Sequence, residues 1–318
     1  MGVTRAAAGV AMEGMTPEDL FHTLLGLGTQ WRVVRCEFEA EEGIVRLWVE
    51  ETPFLWTGLS RSDRPCGALL AVGPTGTGKT ELVLLAARYL FGEDRVRRFD
   101  LSEYQRADAV ERLLGADASD AGAFGRAAAS ASPRVWLFDE LEKAHPKVWD
   151  LFIQMLEPGQ ITLANGEAVS LRGDYLAFTS NLGATESMRM ARSSPASIEQ
   201  AVLRRVAESL RPELLARIPD KLVFARLAPD VQREIAGLHL ANEVARLKSV
   251  GFDLEVSRNA LEFLIREGFH PQLGARPLRQ TIEQHLQDAV ARGLFSSGTG
   301  SGRIDVEPGN SRLGLLVS

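Results

Sequence analysis

The segment "GPTGTGKTE" (73–81) combines residue types and spacing that suit the binding of phosphate groups. It contains the pattern G-x-x-x-x-G-K-[ST], in which glycines let the backbone fold around an anion and the lysine reaches the outer phosphates. The hydroxyl after the lysine can hold Mg²⁺. The alternative is a glycine-rich turn with a surface lysine. The predicted nucleotide-binding residues are Gly73, Pro74, Thr75, Gly76, Thr77, Gly78, Lys79, Thr80 and Glu81, with Thr80 as a magnesium ligand.

A pair of acidic residues supplies a second part of a hydrolytic site. In "RVWLFDELEKAHP" (134–146), four apolar residues predict a buried strand that ends at Asp139 and Glu140. Asp139 can bind the magnesium shell, directly or through water, and Glu140 can orient and deprotonate an attacking water. Such residues are common after apolar strands, but the separation of about sixty residues from the glycine-rich loop suits a shared site.

A third apolar segment, "YLAFTSNLG" (175–183), predicts another strand with a polar tip at Asn181. The amide of Asn181 can hydrogen-bond the attacking water or the γ-phosphate, so it joins Glu140 as a catalytic candidate. The alternative is an asparagine that caps the next helix.

The surrounding elements are those that a phosphate-binding loop requires. "CGALLAVG" (66–73) predicts a buried strand before the loop, and "KTELVLLAARYLFG" (79–92) has the periodicity of a helix after it. A helix N-terminus at the loop points free amides at the phosphates. Alternating strands and helices predict an α/β fold whose parallel sheet holds the ligand at its strand ends.

Composition limits the classes of function. The chain has 318 residues, 45% of them apolar, which is enough for two domains. A net charge of −6 gives no reason to expect nucleic acid as a partner. Cys36 and Cys66 form no C-x-x-C pair, and no leader or membrane-length apolar stretch is evident. These features predict a soluble cytoplasmic protein with no membrane partner.

The chain resembles the Clp-type AAA+ chaperones, in particular the C-terminal ATPase module of two-ring members and the single-ring relatives. The resemblance covers about four-fifths of the chain, from about residue 58, and "DE-x-EKAHP" and "GARPL" are its most specific segments. It implies a P-loop AAA+ large domain with a smaller C-terminal α/β lid, and hydrolysis of Mg-ATP that remodels protein substrates. By this resemblance Arg217 in "LLARIPD" is an arginine finger that reaches a neighbouring subunit, and Arg276 in "GARPL" is a second nucleotide sensor. A ring, hexameric by analogy, is therefore implied.

The resemblance and the sequence pattern together predict three parts, namely a divergent helix-and-hairpin segment (1–57), the large ATPase domain (58–228) and the lid (229–318). The first part is expected to contain a helix from Pro17 to Leu25 and a hairpin from "WRVVRCEF" and "GIVRLWVEE". In the lid, a helix is expected with Val231, Ile235, Leu238 and Val244 on its apolar face, followed by "FDLEV", two more helices and two short strands.

The sequence also departs from the family pattern. The stretch "LLGADASDAGAFGRAAASASP" (113–133) is short where family members carry an aromatic pore loop, so either Phe124 grips substrate or the loop has decayed. The family's upstream adenine-contacting element is missing, and residues 1–57 weakly resemble the leader of a transposase family. No docking loop for a peptidase is evident between Asn181 and Leu210.

Three functions follow as hypotheses. The first is an ATP-driven unfoldase in which Phe124 grips a polypeptide. The second is a non-threading nucleotide switch or assembly ATPase with a degenerate pore loop. The third is an ATPase that serves a mobile DNA element.

Overall fold

The computed structural model of the chain describes residues 31–39, 44–51, 64–91, 94–129, 134–190, 193–270, 272–297, 301–307 and 312–316. The helix predicted at 17–25 lies outside these ranges. The chain divides into two compact units, one made of Met1–Pro74 and Gly78–Ala225 and the other of Thr75–Thr77 and Arg226–Ser318. The domain boundaries drawn from the sequence stay predictions. In the part of the chain that the structure describes, no helix combines the length and apolarity needed to cross a membrane.

The predicted hairpin near the N-terminus is confirmed. Strands β1 (Trp31–Glu39) and β2 (Ile44–Glu51) pair antiparallel, with Trp31 opposite Glu51. The register shifts between Val33 and Arg35, which is the signature of a β-bulge.

The first unit is built on a parallel sheet with helices between its strands. The five sheet strands lie in the order β4-β5-β8-β3-β9, and each neighbouring pair is parallel. The predicted α/β fold is therefore confirmed. The strands after β2 are β3 (Gly67–Val72), β4 (Val96–Asp100), β5 (Val135–Asp139), β6 (Gln160–Thr162), β7 (Ala168–Ser170), β8 (Tyr175–Ser180) and β9 (Asp220–Val223). The helices are α1 (Lys79–Phe91), α2 (Ala109–Leu114), α3 (Gly122–Ala128), α4 (Pro146–Leu156), α5 (Ala184–Arg189), α6 (Pro195–Ser209) and α7 (Pro212–Arg217).

The central strands are apolar because helices cover both faces of a parallel sheet. Every residue of β5 is buried, and five of the six residues of β8 are buried. Aromatic rings fill the space on one side of the sheet. Phe138 stacks on Phe178 with ring centroids 5.3 Å apart, and Phe152 of α4 meets Phe178 edge-on. This packing holds β5 and β8 rigidly, and those two strands carry the predicted catalytic residues.

A buried ion pair fixes the register of β5 against β8 at their first residues. Asp174 accepts hydrogen bonds from Arg134 Nε at 2.9 Å and from Trp136 Nε1 at 2.8 Å. The backbone N–H of Arg134 donates to the other oxygen of the same carboxylate at 3.0 Å. Because both charged side chains are buried and hydrogen-bonded, Val135 is held opposite Tyr175. The same register sets how the far ends of the two strands align.

The second unit is a small α/β body. Its helices are α8 (Pro229–Ser249), α9 (Arg258–Gly268) and α10 (Leu278–Ser297), and its strands are β10 (Leu254–Val256), β11 (Gly302–Val306) and β12 (Leu313–Leu316). The strands lie in the order β10-β11-β12, the first pair parallel and the second antiparallel. Ser257 caps α9 by accepting from Ala260 N at 3.1 Å.

The buried face of α8 differs from the face expected from the sequence. Ala236 and Leu247 are the apolar residues of this helix that are buried, while Ile235 and Val244 are half-buried beside them. Val231 and Leu238 are half-buried and lie outside the apolar cluster of the unit. Glu243 is not apolar, but it is also buried on this helix, and its carboxylate forms an ion pair with Arg246.

Candidate nucleotide site

Three neighbouring parallel strands bring their carboxyl ends to one edge of the sheet. β8 lies between β3 and β5, with Val72 opposite Ser180 and Phe138 opposite Phe178. The glycine-rich loop follows β3, while Asp139 ends β5 and Asn181 follows β8. The topology therefore gathers the residues predicted from three separate segments, because ligands of open α/β sheets bind beyond the carboxyl ends of the strands.

The loop after β3 has a backbone that its glycines make possible. Gly73, Gly76 and Gly78 have φ angles of 134°, 71° and 95°, a region that residues with a Cβ rarely adopt. At Gly73 a Cβ would lie 2.3 Å from the carbonyl oxygen of Phe224, so no larger residue fits there. Thr80 and Glu81 lie in the first turn of α1, whose amides are unpaired at a helix N-terminus.

Lys79 is almost fully buried and connects the loop to the tip of β8. Its Nζ donates to Gly73 O at 2.8 Å, to Pro74 O at 2.7 Å and to Asn181 Oδ1 at 3.1 Å. A buried ammonium group needs such acceptors, because burial without them disfavours its charged form. The contact with Asn181 joins two residues separated by 102 positions in sequence.

Asp139 is the centre of a hydrogen-bond network at the end of β5. Its Oδ1 accepts from Thr80 Oγ1 at 3.0 Å and from Thr179 Oγ1 at 2.8 Å, and its Oδ2 accepts from Arg98 Nε at 2.6 Å. The Asp139 side chain is 6% exposed, whereas the Arg98 side chain is about half exposed. This ion pair is therefore open to solvent from one side.

The oxygens of Thr80 and Asp139 fit a magnesium ion. Mg²⁺ takes oxygen ligands at about 2.0–2.1 Å in an octahedron, which places adjacent ligands roughly 2.9 Å apart. The hydroxyl and carboxylate oxygens are 3.0 Å apart. Both groups are hard oxygen donors, and Asp139 at the end of β5 meets Thr80 in the first turn of the helix that follows the phosphate loop.

Glu140 has a strained backbone at the turn after β5. Its φ and ψ are 59° and 52°, which is the left-handed region, at a cost of about 1–3 kcal/mol for a residue that is not glycine. Its backbone N–H donates to Thr179 Oγ1 at 3.3 Å. Because that hydroxyl also donates to Asp139, one threonine fixes both acidic residues. Residues held in such conformations concentrate at functional sites.

The backbone of Asn181 is tied to the same acidic turn. Its N–H donates to Glu142 Oε1 at 3.1 Å. The other oxygen, Glu142 Oε2, is buried and has no hydrogen-bond partner among the described residues. Glu142 therefore holds the tip of β8 beside the turn that carries Glu140.

The two arginines assigned by resemblance lie in different units of the chain. Arg217 is the last residue of α7, which precedes β9. β9 runs parallel to β3, and Asp220 at its start is opposite Leu69. The start of β9 is therefore four residues, roughly 13 Å, from the loop end of the sheet at Gly73. Arg276 lies in the second unit and is exposed, and its role as a sensor stays a prediction.

The hypothesis that Phe124 grips a substrate is wrong for this structure. Phe124 lies in α3 with no exposed surface, and its ring stacks on Trp136 at a centroid distance of 4.1 Å. The segment before it, residues 115–121, forms a tight turn: Ser119 N donates to Asp117, and Gly122 N donates to Asp120 at 2.9 Å. This last hydrogen bond lowers the pKa of Asp120. The Phe124 ring therefore belongs to the hydrophobic core and is not available to contact a substrate.

Three residues with contacts in the site were not assigned a role from the sequence. These are Arg98, Thr179 and Glu142. Glu142 lies in "DE-x-EKAHP", one of the most specific segments of the family resemblance, Arg98 lies in β4, and Thr179 lies at the tip of β8 two residues before Asn181. The atoms that these residues contact depend on strand order and register, which the sequence does not show directly. The sequence could indicate a role for them only through their positions near the predicted site residues.

The sheet order, the glycine-rich loop and the acidic strand tip together are those of the P-loop AAA+ fold. Residues 64–221 match the family model described as AAA domain (Cdc48 subfamily), and residues 227–304 match that of the C-terminal, D2-small domain of ClpB protein. Residues 64–304 form an ATPase module of the Clp-type AAA+ family, which confirms the resemblance.

Individual relatives agree with this assignment. The chain is 38% identical over 263 residues to chaperone protein ClpB of Streptomyces albus G, and 36% identical over 264 residues to that of Agrobacterium fabrum. These alignments cover 79% and 80% of this chain and 30% of each relative. A solved S. cerevisiae Hsp104–ADP complex superposes with a TM-score of 0.72 at 29% identity, over 83% of this chain and 47% of that one. The chain thus spans less than a third of the length of these curated relatives.

Proposed function

We propose that this chain hydrolyses ATP at the cluster formed by Lys79, Thr80, Asp139, Glu140 and Asn181. The observation that carries the proposal is the contact of Lys79 Nζ with Asn181 Oδ1, because it unites the phosphate loop with the tip of β8. A phosphate oxygen accepts more strongly from an ammonium group than the neutral carbonyls that Lys79 contacts here. The family assignment supports the same chemistry.

Each residue has a distinct role in the proposal. Lys79 binds the outer phosphates, and Asn181 orients the attacking water or the γ-phosphate. Glu140 accepts a proton from that water, and the hydrogen bond from its backbone to Thr179 keeps it in position. Thr80 and Asp139 hold Mg²⁺, which when bound neutralises phosphate charge.

Arg217 is proposed to act on the site of a neighbouring subunit. Supporting this, Arg217 lies three residues before the amino end of β9, whereas the phosphate loop follows the carboxyl end of the neighbouring β3. An arginine finger supplied in trans raises the rate by about 10³–10⁵. The proposed assembly is therefore a ring, hexameric by analogy with the family, in which a separate subunit is a poor ATPase.

The proposed use of the hydrolysis energy is to remodel a protein partner without pulling a chain past an aromatic residue. One matched structure is entitled a complex of S. cerevisiae Hsp104 with casein, which supports a protein partner for the family. Phe124, the one aromatic residue of the sequence between Leu114 and Pro133, is buried in the core. This burial favours the non-threading hypothesis over the unfoldase hypothesis.

Two measurements test the proposal. Glu140→Gln is expected to bind a fluorescent ATP analogue normally and to lose turnover by at least about 10²-fold, whereas Lys79→Ala weakens binding. Lys143→Ala, which removes an exposed lysine from the same turn, serves as a matched control with normal values. Turnover of Glu140→Gln within twofold of the parent would contradict the catalytic assignment. ATP-dependent loss of fluorescence from a tagged, stably folded fluorescent protein would contradict the non-threading part.

A further inference from the structure

The proposed arginine finger is not isolated in its own subunit. Arg217 Nε lies 3.2 Å from Glu157 Oε2, and Arg217 Nη1 donates to the carbonyl oxygen of Glu213 at 3.0 Å. Glu157 Oε1 also forms an ion pair with Arg64. One carboxylate is therefore shared between two guanidinium groups, Arg217 at the end of α7 and Arg64 just before β3.

The ion pair with Glu157 restrains Arg217 but leaves some of its N–H groups without a hydrogen-bond acceptor in the described part of the chain. The buried Nε–H of Arg217 finds no hydrogen-bond acceptor among the described residues, so its contact with Glu157 is an ion pair and not a directed hydrogen bond. Nη2 likewise makes no hydrogen bond within the described part of the chain. A guanidinium in this state can still offer two or more donors to a phosphate.

Glu157 also lies in a position that connects two functional parts of the subunit. Glu157 follows directly after α4. That helix begins at Pro146, shortly after the turn that contains Glu140 and Glu142. At its other end the helix leads to the carboxylate that contacts Arg217. Glu157 is thus anchored by the helix that starts beside the catalytic turn.

We propose that Glu157 is a positioning residue for the finger: its carboxylate holds Arg217 in the orientation from which it enters the neighbouring subunit's site. This inference rests on the proposed function of Arg217. If the charge of Glu157 is removed, Arg217 loses the carboxylate that lies 3.2 Å from its Nε. Arg217 is then free to shift, and a displacement of about 1 Å can cost roughly 10²-fold in rate.

The chain offers a matched control on the same two helices. Asp150 of α4 forms an ion pair with Arg211, the residue before α7. Asp150→Asn and Glu157→Gln each convert one partly exposed carboxylate to an amide and each break an ion pair in this region. Pairs that are this exposed add little to stability, so both variants are expected to fold and assemble normally, as sedimentation can verify.

The test uses mixed assemblies of the full chain, in which the finger and the site come from different subunits. Arg217→Ala supplies an intact site without a finger, and Glu140→Gln supplies a finger without its own hydrolysis. A mixture of the two is expected to recover turnover that neither has alone. When the finger donor also carries Glu157→Gln, the recovered kcat is expected to fall roughly tenfold with KM for ATP unchanged, while Asp150→Asn in that donor has no effect.

The outcomes separate the inference from the function on which it rests. Equal recovery with and without Glu157→Gln in the finger donor overturns the positioning role and leaves the shared site intact. No recovery in the parent mixture, with Arg217→Ala fully active by itself, overturns the finger assignment and the inference with it. Glu157→Asp, which keeps the charge on a shorter side chain, is expected to recover more turnover than Glu157→Gln, and the reverse order would also overturn the inference.

Discussion

The rings of Phe124 and Trp136 stack 19° from parallel, with their centroids 4.1 Å apart in the core of the large unit. Phe99 adds a third ring, 6.1 Å from Phe124 and 6.2 Å from Trp136. Since Trp136 belongs to β5, this cluster supports the strand that carries Asp139. Phe124 therefore stabilises the core of the large unit.

Replacing Phe124 by alanine is expected to reduce the free energy of unfolding by about 3–5 kcal/mol, because it leaves a cavity beside Trp136. Phe124→Leu is the milder control and is expected to cost less. Denaturant unfolding of the full chain measures both. A normal midpoint for Phe124→Ala together with loss of activity on a protein partner would show instead that Phe124 contacts substrate.

Much of the fold and site follows from local patterns in the sequence. The strand that precedes Gly73, the helix that begins at Lys79 and the strand that ends at Asp139 were predicted because apolar runs and helical periodicity are local properties. Phe124 could not be assigned in this way. A single aromatic residue between small residues fits a loop and the inner face of a short helix equally well, and the contact with Trp136 decides between them.

The contacts within the site depend on strand order, which local patterns do not encode. β8 lies between β3 and β5, and only this order places Asn181 within reach of Lys79 and Thr179 beside Asp139. Arg98 reaches Asp139 from the edge strand β4 for the same reason. These contacts depend on registers between strand residues that are 39 or more positions apart in sequence.

Thr179→Val is expected to lower ATP turnover roughly tenfold with little change in overall shape. The substitution removes the hydroxyl that links Glu140 N to Asp139 Oδ1, and a buried donor left unsatisfied costs about 1–3 kcal/mol. Thr179→Ser keeps the hydroxyl and serves as the control with near-normal kcat. Equal activity of the valine and serine variants would contradict a role for the hydroxyl in holding Glu140.

Arg98→Met is expected to tighten binding of a divalent cation, because the arginine now pairs with the carboxylate that binds it. The Arg98 side chain is about half exposed, so loss of the pair changes binding by at most about 1 kcal/mol, roughly fivefold. Paramagnetic resonance of Mn²⁺, bound in the presence of nucleotide, measures the affinity directly. Weaker Mn²⁺ binding would show instead that Arg98 orients Asp139 for the metal.

The second unit is expected to lose stability as the pH falls. Hydrogen bonds from Arg246 lower the pKa of Glu243 below its usual range, despite the opposing effect of burial. A carboxyl whose pKa is lower in the folded state stabilises the fold fully above its unfolded pKa, about 4.3, and loses that effect as pH falls through the folded value. Unfolding of Glu243→Gln between pH 3 and pH 6 is expected to depend less on pH than that of the parent chain. An unchanged slope would show that other groups control acid unfolding.

ATP turnover per subunit, measured over a wide range of protein concentration, shows whether the site is shared between subunits. Turnover is expected to rise with concentration, because Arg217 of one subunit completes the site of the next, and Arg217→Ala and Glu140→Gln are expected to abolish the rise. Glu140 lies at the site edge of the sheet and Arg217 precedes β9 at the opposite end. Turnover that is independent of concentration and unchanged in Arg217→Ala would contradict a shared site.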